Sequence, residues 1–310
     1  MRNLLITGGA GFVGRHVASH LAQRDDVEVT VFDNESLGNR RHLDLDRIRF
    51  VEGDLRDSDA VLSVVAGQDA VIHLAADTRV MDSITDPAHN FANNVIGSFH
   101  LLEACRRHEV PRLVAASTGG AILGEVPPPV HEEMAPQPTS PYGASKLMLE
   151  GYLSAYSHSF GVSCCALRFS NIYGPRSFHK GSVVAHFYKR ILRDEPLVVY
   201  GDGSQTRDFL FVGDLVEAIT GAVASDATGA FQLGSGEPTS VNTLIALMRE
   251  VTGRDFEVRY EDLRAGEIQH TWCAIEKARD GLGFAPHTPL LDGLRQTWEW
   301  FCSTEGEGLG

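Results

Sequence analysis

The stretch TGGAGFVG, residues 7 to 14, follows the short apolar run NLLIT and opens a helical pattern. Its glycines Gly8, Gly11 and Gly14 are spaced three residues apart. Without side chains they permit a tight turn, the close approach of a pyrophosphate and close packing of the helix on the strand. The helix N-terminus would add N–H donors and the positive end of its dipole. The stretch therefore predicts a dinucleotide-binding turn between a first strand and a first helix.

Short β-rich runs and helical patterns alternate through the first half of the chain. After the glycine-rich turn come EVTVF, RFVEG, DAVIHLA, a helix near 94–108, and RLVAAS. Almost wholly apolar strands that alternate with helices indicate a parallel sheet covered on both faces. We therefore predict an α/β fold with a doubly wound parallel (Rossmann) sheet in residues 1–170. Glycine- and proline-containing loops then indicate a smaller C-terminal α/β substrate-binding lobe in 171–310, with elements near 207–235 returning to the first domain.

Polar residues stand at the ends of the next predicted strands. Asp33 follows the glycines at the spacing where a carboxylate can accept hydrogen bonds from a ribose diol. No cation follows it at once to receive a 2′-phosphate, which favours NAD over NADP, although Arg40 and Arg41 come later. Ligands of such sheets lie beyond the carboxyl ends of the strands, so Asp54 and the HLAA segment are placed to contact adenine and ribose. We interpret His73 of that segment as a hydrogen-bonded core histidine.

Composition and charge exclude several classes of protein. The 310 residues are 43% apolar and 22% charged, as in an ordinary globular protein. A formal net charge of −14 argues against nucleic acid binding, which needs a basic face. We find neither a signal peptide nor an apolar run of membrane-spanning length, and the five cysteines form no C-x-x-C pair. We therefore expect a cytoplasmic protein with reduced thiols, and no metal site, since HExxH is absent.

The segment SPYGASKLMLE places Tyr142 four residues before Lys146 at the start of a predicted helix. Residues at this spacing share one face of a helix. An ammonium beside a phenol favours the phenolate and lowers its pKa, which would make Tyr142 a usable base. The same spacing also arises by chance on solvated helices, so the pair alone does not establish a catalytic site.

The order of the motifs resembles that of one family. In sequence the chain contains TGGAGFVG, DNES, GDLRD, HLAA, NNVIGSFHLLEA, VAASTGG, YGASK, RFSNIYGPR, GDGSQTRDF, VGDL and RAGE. Over nearly its whole length it is therefore similar to the extended short-chain dehydrogenases/reductases that act as NAD-dependent sugar-nucleotide epimerases and dehydratases, and among them to the UDP-glucose 4-epimerase-like enzymes. The resemblance implies NAD as the cofactor and a homodimer that pairs the helices around 94–108 and 142–160.

The resemblance also implies roles for individual residues. Tyr142 would remove a proton from a sugar hydroxyl while hydride passes from the same carbon to the nicotinamide. Lys146 would hydrogen-bond the nicotinamide ribose and lower the pKa of the phenol. The residues expected to contact the cofactor are Gly8, Gly11, Phe12, Val13, Gly14, Asp33, Asn34, Asp54, Leu55, Leu74, Ala75, Ala76, Asn94, Tyr142 and Lys146.

The segment STGGAILG departs from the family pattern. The family places a Ser or Thr that hydrogen-bonds the reacting oxygen at the position of Gly119, and often a tyrosine at that of Leu123. Thr118 is our candidate for this hydroxyl and Ser117 is the second, with a slight shift of the loop. Related 4,6-dehydratases place acidic residues after the Thr to eliminate water, and Gly119 and Gly120 cannot supply them. The resemblance therefore implies 4-epimerisation through a transient 4-keto intermediate, and disfavours dehydration or decarboxylation.

For the substrate, Asn171, Arg207 and Arg264 match family positions that hold the diphosphate of a nucleotide sugar. Arginine suits this role because its planar fork presents paired donors to phosphate oxygens. Thr271 matches a position where a small residue leaves room for UDP-glucose, UDP-N-acetylglucosamine or UDP-glucuronate. We expect uridine diphosphate as the nucleotide, and thymidine diphosphate stays open. Two alternatives remain: a 4-keto sugar-nucleotide reductase, and a regulatory protein that has kept the fold but lost the chemistry.

Overall fold

The computed structural model describes residues 2–263 and 268–303. Its strands are β1 (Arg2–Thr7), β2 (Val27–Asp33), β3 (Ile48–Glu52), β4 (Ala70–His73), β5 (Arg112–Thr118), β6 (Ser163–Phe169), β7 (Asn171–Tyr173), β8 (Leu197–Tyr200), β9 (Thr206–Arg207), β10 (Phe209–Phe211), β11 (Gly229–Leu233), β12 (Thr239–Ser240) and β13 (Val258–Glu261). Within the described residues the large sheet has the order β11-β6-β5-β4-β1-β2-β3, and every pairing in it is parallel. The predicted doubly wound α/β fold is confirmed.

Helices connect and cover these strands. They are α1 (Phe12–Leu21), α2 (Ser58–Val65), α3 (Val80–Thr85), α4 (Pro87–Asn90), α5 (Gly97–Arg107), α6 (Pro141–Phe160), α7 (Val183–Leu192), α8 (Val212–Ala224), α9 (Val241–Thr252), α10 (Glu276–Leu282) and α11 (Leu290–Cys302). The described residues also include a 3-10 turn at Arg40–His42 and a π-helical stretch at Phe91–Ile96. No helix in the described ranges is long and apolar enough to cross a membrane.

Apolar side chains on both faces hold the large sheet between two layers of helices. Along β1, Leu4 and Ile6 enter the core that α1 and α8 cover, whereas Leu5 enters the core that α2, α5 and α6 cover. Successive side chains of a strand point to opposite faces, so a strand buried on both sides must be apolar throughout. Each fully buried Leu or Ile contributes about 1.5–3 kcal/mol. This is why the strands read as uninterrupted apolar runs.

A smaller lobe has its own core, formed mainly by α7, α9 and α11 around Tyr188 and Phe301. The chain then returns to the large sheet: α8 packs on α1 and β5, and β11 pairs with β6 at the sheet edge. The α10 helix, further along the chain, also packs against β11. The two lobes are therefore interleaved in sequence.

The carboxyl ends of the central strands meet at one edge of the large sheet. Thr7 at the end of β1 pairs in register with His73 at the end of β4, and His73 pairs with Ala115 of β5. The last residue of β2 is Asp33, and the last residue of β5 is Thr118. Ligand sites of doubly wound sheets lie beyond this edge.

Candidate active site

The glycine-rich turn is closely packed against the strand ends. Gly8 has φ +73°, and a Cβ there would lie 2.5 Å from the backbone nitrogen of Ala75. A Cβ at Gly14 would lie 2.2 Å from the carbonyl oxygen of Gly8. Gly11, the N-cap of α1, offers no side-chain acceptor to the first turn of the helix. The first N–H groups of α1 are therefore presented to a ligand at this turn.

A cavity of about 350 Å³ lies beside this turn. The predicted contacts among its lining residues are Gly8, Gly11, Asp33, Asn34, Asp54, Leu55, Leu74, Ala75 and Ala76. Sequence reasoning missed other lining residues, namely Phe32, Ser36, Leu37, Gly38, Gly53, Arg56, Asp77, Arg79, His89 and Asn93. Most of them follow a predicted strand end by a few positions, and this position in the sequence could have identified them as lining residues. A glycine cradle, a helix N-terminus and strand-end carboxylates together fit a dinucleotide.

Asp33 is fixed at the wall of this cavity. Its carboxylate accepts hydrogen bonds from the backbone N–H groups of Ala10 at 3.0 Å and Glu35 at 2.7 Å. Burial raises the pKa of this carboxyl, and the two hydrogen bonds oppose the rise. Arg40 is paired with both Glu35 and Glu52, so its charge is neutralised within the protein. The carboxylate of Asp33 in the cavity lining, together with the neutralised Arg40, favours NAD over a cofactor with a 2′-phosphate.

Asp54 and Asn34 form one hydrogen-bonded group on the same wall. The Asn34 amide donates to the Asp54 carboxylate at 2.9 Å, and Arg56 donates to it through Nε at 2.9 Å and Nη2 at 2.7 Å. The hydrogen bonds from Arg56 are the main reason that the pKa of Asp54 is lowered, so Asp54 is an anion at neutral pH. This group holds the loop after β3 in a defined conformation.

The α6 helix carries Tyr142 and Lys146 into the interior. The Ser140 hydroxyl caps the helix by accepting from the N–H of Gly143 at 3.2 Å, and Pro141 occupies the first turn. Tyr142 is 8% exposed and Lys146 is 3% exposed. The Lys146 ammonium donates to the carbonyl oxygen of Ala116 on β5 at 2.9 Å. The helix start thus places a phenol and an ammonium against the end of β5.

The Tyr142 phenol meets the hydroxyl of Thr118. Burial raises the pKa of Tyr142 to about 12; the hydrogen bond from Thr118 opposes this rise, and the negative charge of Asp77 adds to it. The pKa of Lys146 is lowered to about 8, also by burial. The expectation that Lys146 lowers the pKa of Tyr142 is therefore not met in this arrangement, because desolvation dominates and the ammonium is directed at a backbone carbonyl.

Ser117 and Gly119 face away from the phenol. The Ser117 hydroxyl donates to Glu150 at 2.6 Å, so this second candidate for the catalytic hydroxyl is used elsewhere. A Cβ at Gly119 would lie 2.8 Å from the side-chain oxygen of Gln232, which fills the space that a serine would occupy. A Cβ at Gly120 would meet nothing within 4 Å. Thr118 is thus the hydroxyl of this segment that reaches Tyr142.

Asn94, an expected cofactor contact, is buried and used within the protein. Its amide accepts from the N–H of Asp77 at 2.8 Å and donates to the Asp77 carbonyl at 2.9 Å and to Ser145 at 3.2 Å. Ser145 in turn donates to the carbonyl of Tyr142 at 2.7 Å. Asn94 therefore ties the loop after β4 to the helix of Tyr142. Like Asn94, five other expected contacts are not among the residues that line the cavity, namely Phe12, Val13, Gly14, Tyr142 and Lys146.

His73 lies behind this group and is a core histidine, as predicted. Its ring hydrogen-bonds Thr7 at 2.7 Å and Ser98 at 3.0 Å. Burial lowers the pKa of His73 to about 3, and the charge of Lys146 adds to the effect. The ring is therefore neutral at physiological pH.

A second cavity of about 550 Å³ lies against the smaller lobe. Asn171 and Arg207, both predicted substrate contacts, line it together with the first turn of α7. The Arg207 guanidinium donates to the carbonyl oxygens of Thr206 at 2.9 Å and Gln269 at 3.2 Å, which orients it. Thr271 is not part of the lining; its N–H donates to the Thr206 carbonyl at 3.3 Å. Arg264 lies outside the described residues.

We next consider metal sites and cysteines in the described residues. No group of three or more His, Cys, Asp or Glu side chains there could hold a metal ion. Cys105, Cys164, Cys165 and Cys273 are buried free thiols. Burial raises the pKa of each of these thiols, which makes them poor nucleophiles.

Comparison with known proteins agrees with this geometry. Residues 4–234 match the model of the NAD dependent epimerase/dehydratase family. The UDP-glucose 4-epimerase of Mycolicibacterium smegmatis is 33% identical over 306 residues, which cover 96% of this chain and 97% of that protein. Such identity over nearly the full length of both chains indicates a shared fold and family.

Two solved structures are similar over the whole chain. The UDP-glucose 4-epimerase of Thermotoga maritima with UDP-glucose has a TM-score of 0.92 and 37% identity, covering 96% of this chain and 98% of that one. The UDP-glucose 4-epimerase of Thermus thermophilus in complex with NAD has a TM-score of 0.90 and 36% identity, covering 97% and 99%. The chain therefore belongs to the NAD dependent epimerase/dehydratase family, and its cofactor is NAD.

Proposed function

We propose that the protein is a UDP-sugar 4-epimerase that inverts C4 of the sugar through a transient 4-keto intermediate. The observation that carries the proposal is the burial of Tyr142 and Lys146 against the end of β5, where Thr118 favours the ionised phenol and the following glycines offer no acid or base. Dehydration would need such groups, whereas epimerisation needs only one base and a hydride carrier. The similar proteins of known structure that bind UDP-glucose and NAD support this choice.

We assign the cofactor to the 350 Å³ cavity. The N–H groups at the start of α1 would hold the pyrophosphate, and Asp33 would accept from the adenosine ribose. Asp54 and the Leu74–Ala76 segment would flank the adenine. When bound, NAD would supply a reversible hydride acceptor for C4 and would show no net change of oxidation state over a turnover.

Tyr142 is the proposed base that takes the proton of the C4 hydroxyl. A phenol with a pKa of about 12 stays protonated at neutral pH and cannot accept a proton, so the closed site must favour the phenolate. A positive charge near the phenol, such as that of oxidised nicotinamide, would act in this direction. Thr118 would donate to the oxygen that Tyr142 deprotonates and would orient that oxygen. The Lys146 ammonium would hydrogen-bond the nicotinamide ribose.

The second cavity would receive the UDP moiety. Asn171 and Arg207 supply polar donors there, and the first turn of α7 directs its N–H groups to the same space. We also assign Arg264 to the diphosphate and Thr271 to the neighbourhood of the sugar by their positions in the sequence. UDP-glucose, UDP-N-acetylglucosamine and UDP-glucuronate are the candidate substrates.

We further propose a homodimer that pairs α5 and α6. Aromatic residues are exposed along these helices: Phe99 (39%), Tyr152 (41%) and Phe160 (52%). Phe99 and Tyr152 contact each other edge-on at 5.9 Å, which extends the apolar surface from one helix to the other. A contiguous apolar patch of this kind is typical of an interface. A monomer mass that does not change with concentration would contradict the dimer.

The buried free thiols fit a cytoplasmic location, which we also propose.

The direct test is to incubate the protein with each of the three UDP-sugars and NAD and to identify the products by NMR. We expect the C4 epimer of at least one of them, with no net production of NADH. Tyr142→Phe should abolish turnover while NAD still binds. Unchanged spectra for all three sugars would contradict the proposal, and stoichiometric consumption of NADH with a 4-keto sugar would indicate a reductase instead.

A further inference from the structure

A buried ion pair lies directly behind Lys146. Ser117 on β5 and Arg168 on β6 are register partners, so their side chains stand side by side on one face of the sheet. Both donate to Glu150 of α6: Ser117 at 2.6 Å, and Arg168 through Nε at 2.9 Å and Nη2 at 2.7 Å. The side chains of Arg168 and Glu150 are 5% and 11% exposed. The carboxylate is therefore fixed by three hydrogen bonds in a desolvated position.

Glu150 is one helical turn after Lys146 and shares its face of α6. The strand that positions Glu150 also positions Lys146, because Ala116, which accepts from the ammonium, immediately precedes Ser117. The two charges are thus anchored to adjacent residues of β5. This arrangement fixes the geometry of the carboxylate relative to the ammonium.

Stability alone does not explain this ion pair. Removing two charges from water is costly, and replacing a buried pair by apolar groups is often neutral or stabilising. Here the Nη1 atom of Arg168 is buried without a hydrogen-bond partner, which adds to the cost. An ion pair that is costly to bury and adjacent to a proposed active-site lysine suggests an electrostatic role.

The charged and titratable groups around Lys146 define that role. His73 on β4 and Glu150 on α6 interact electrostatically with Lys146. Asp77 acts on Tyr142, which lies one turn before Lys146 on α6, and Arg168 on β6 is paired with Glu150. His73 and Tyr142 are neutral at pH 7, because burial lowers the pKa of the first to about 3 and raises that of the second to about 12. Burial lowers the pKa of Lys146 to about 8, and the charge of Glu150 is what opposes this decrease.

We propose that Glu150, held by Ser117 and Arg168, is a positioning residue that keeps the buried ammonium of Lys146 charged and directed at the end of β5. The inference rests on the proposed function of Lys146 in the epimerase site. Glu150 itself does not touch the reacting atoms; it acts through Lys146. The consequence is that the site stays competent at mildly alkaline pH, where a buried lysine without a nearby carboxylate would lose its proton.

The test follows the titration of Lys146 by NMR of protein labelled at the lysine side chains. The chain has four lysines, Lys146, Lys180, Lys189 and Lys277, so the Lys146 signal can be assigned from its loss in Lys146→Arg. In Glu150→Gln we expect the titration midpoint of Lys146 to move down by about one pH unit. Glu257→Gln, at an exposed pair with Arg259, is the control and should leave the midpoint unchanged.

A second variant covers the case in which Glu150→Gln does not fold because Arg168 is left unpaired. The double variant Glu150→Leu/Arg168→Met replaces the pair by apolar groups of similar size and should fold. Its Lys146 midpoint should also be lower than in the unsubstituted protein, and the alkaline limb of epimerisation should shift by the same amount. A folded variant in which Lys146 titrates as in the unsubstituted protein would overturn the inference. The titration needs no turnover, so a lack of epimerase activity would count against the proposed function alone.

Discussion

The hydroxyl of Thr118 favours the ionised phenol of Tyr142, whereas the adjacent hydroxyl of Ser117 donates to Glu150 at 2.6 Å. Neighbouring side chains of a strand project in opposite directions, so only one of the two can face the phenol. Thr118 reaches Tyr142 from the last residue of β5, without the loop shift that the sequence suggested. At the next residue, Gly119, the side chain of Gln232 occupies the space that a side chain on Gly119 would need. This geometry leaves one hydroxyl to orient the reacting oxygen.

Thr118→Val keeps the shape of the side chain and removes the hydroxyl. We expect kcat to fall about 100-fold, because a hydrogen bond to the reacting oxygen is lost, with the Kd for NAD unchanged. Thr118→Ser should retain most of the activity. Product formation followed by NMR and NAD binding followed by calorimetry give the two readouts. Full activity in Thr118→Val would exclude this role for Thr118.

The paired state of Arg40 predicts how the protein distinguishes NAD from NADP. Glu35 and Glu52 neutralise this guanidinium, and both are sequence neighbours of residues that line the cofactor cavity. In Glu35→Gln the arginine loses one partner and can meet a 2′-phosphate, so the Kd for NADP should decrease about tenfold, equivalent to about 1.4 kcal/mol. The Kd for NAD should change less than about twofold, because Asp33 is retained. Glu28→Gln on exposed β2 surface is the control, and equal changes for both nucleotides would contradict the explanation.

The fold and most of the cavity wall could be predicted because they depend on local patterns. Apolar runs predicted the strands. The ends of these strands predicted the cavity residues Asp33, Asn34, Asp54 and the HLAA segment. Asp77 and Arg79 were missed, since their presence at the cavity depends on how the loop after β4 folds back. That fold depends on Asn94, which is far along the chain, and no local pattern reports it.

The electrostatic expectation for Tyr142 and Lys146 failed for a similar reason. Helical spacing correctly predicted that the two side chains share a face. It could not report burial, which raises the pKa of the phenol and lowers that of the ammonium. Nor could it show that the Lys146 ammonium donates to the carbonyl oxygen of Ala116 or that the Ser117 hydroxyl donates to Glu150. Both contacts join α6 to β5, and they follow from packing that the sequence does not display.

His73 should make the protein sensitive to acid. Its pKa is about 3 in the folded protein against an ordinary value of 6.5, so the unfolded chain binds more protons between these pH values. The free energy of unfolding should therefore decrease as the pH falls through this window, by an amount on the order of 5 kcal/mol. Above pH 6.5 the contribution of His73 should be constant.

The measurement is chemical unfolding at a series of pH values for the unsubstituted protein and for His73→Gln. The variant removes the titrating ring while leaving polar atoms for Thr7 and Ser98, so its unfolding free energy should depend less steeply on pH. His20→Gln, at an exposed position on α1, should leave the slope unchanged. Parallel curves for His73→Gln and the unsubstituted protein would show that this ring does not cause the acid sensitivity.

Arg207→Lys separates charge from geometry in the second cavity. The Arg207 guanidinium lines the cavity that we assign to the diphosphate, and it donates to the carbonyls of Thr206 and Gln269. Lysine keeps the charge but cannot present paired donors. We expect the Kd for UDP and the KM for the sugar nucleotide to rise about tenfold each, with kcat little changed, because the reacting carbon lies elsewhere. Arg259→Lys on exposed β13 is the control. A fall in kcat with an unchanged Kd for UDP would instead place Arg207 at the reacting end of the substrate.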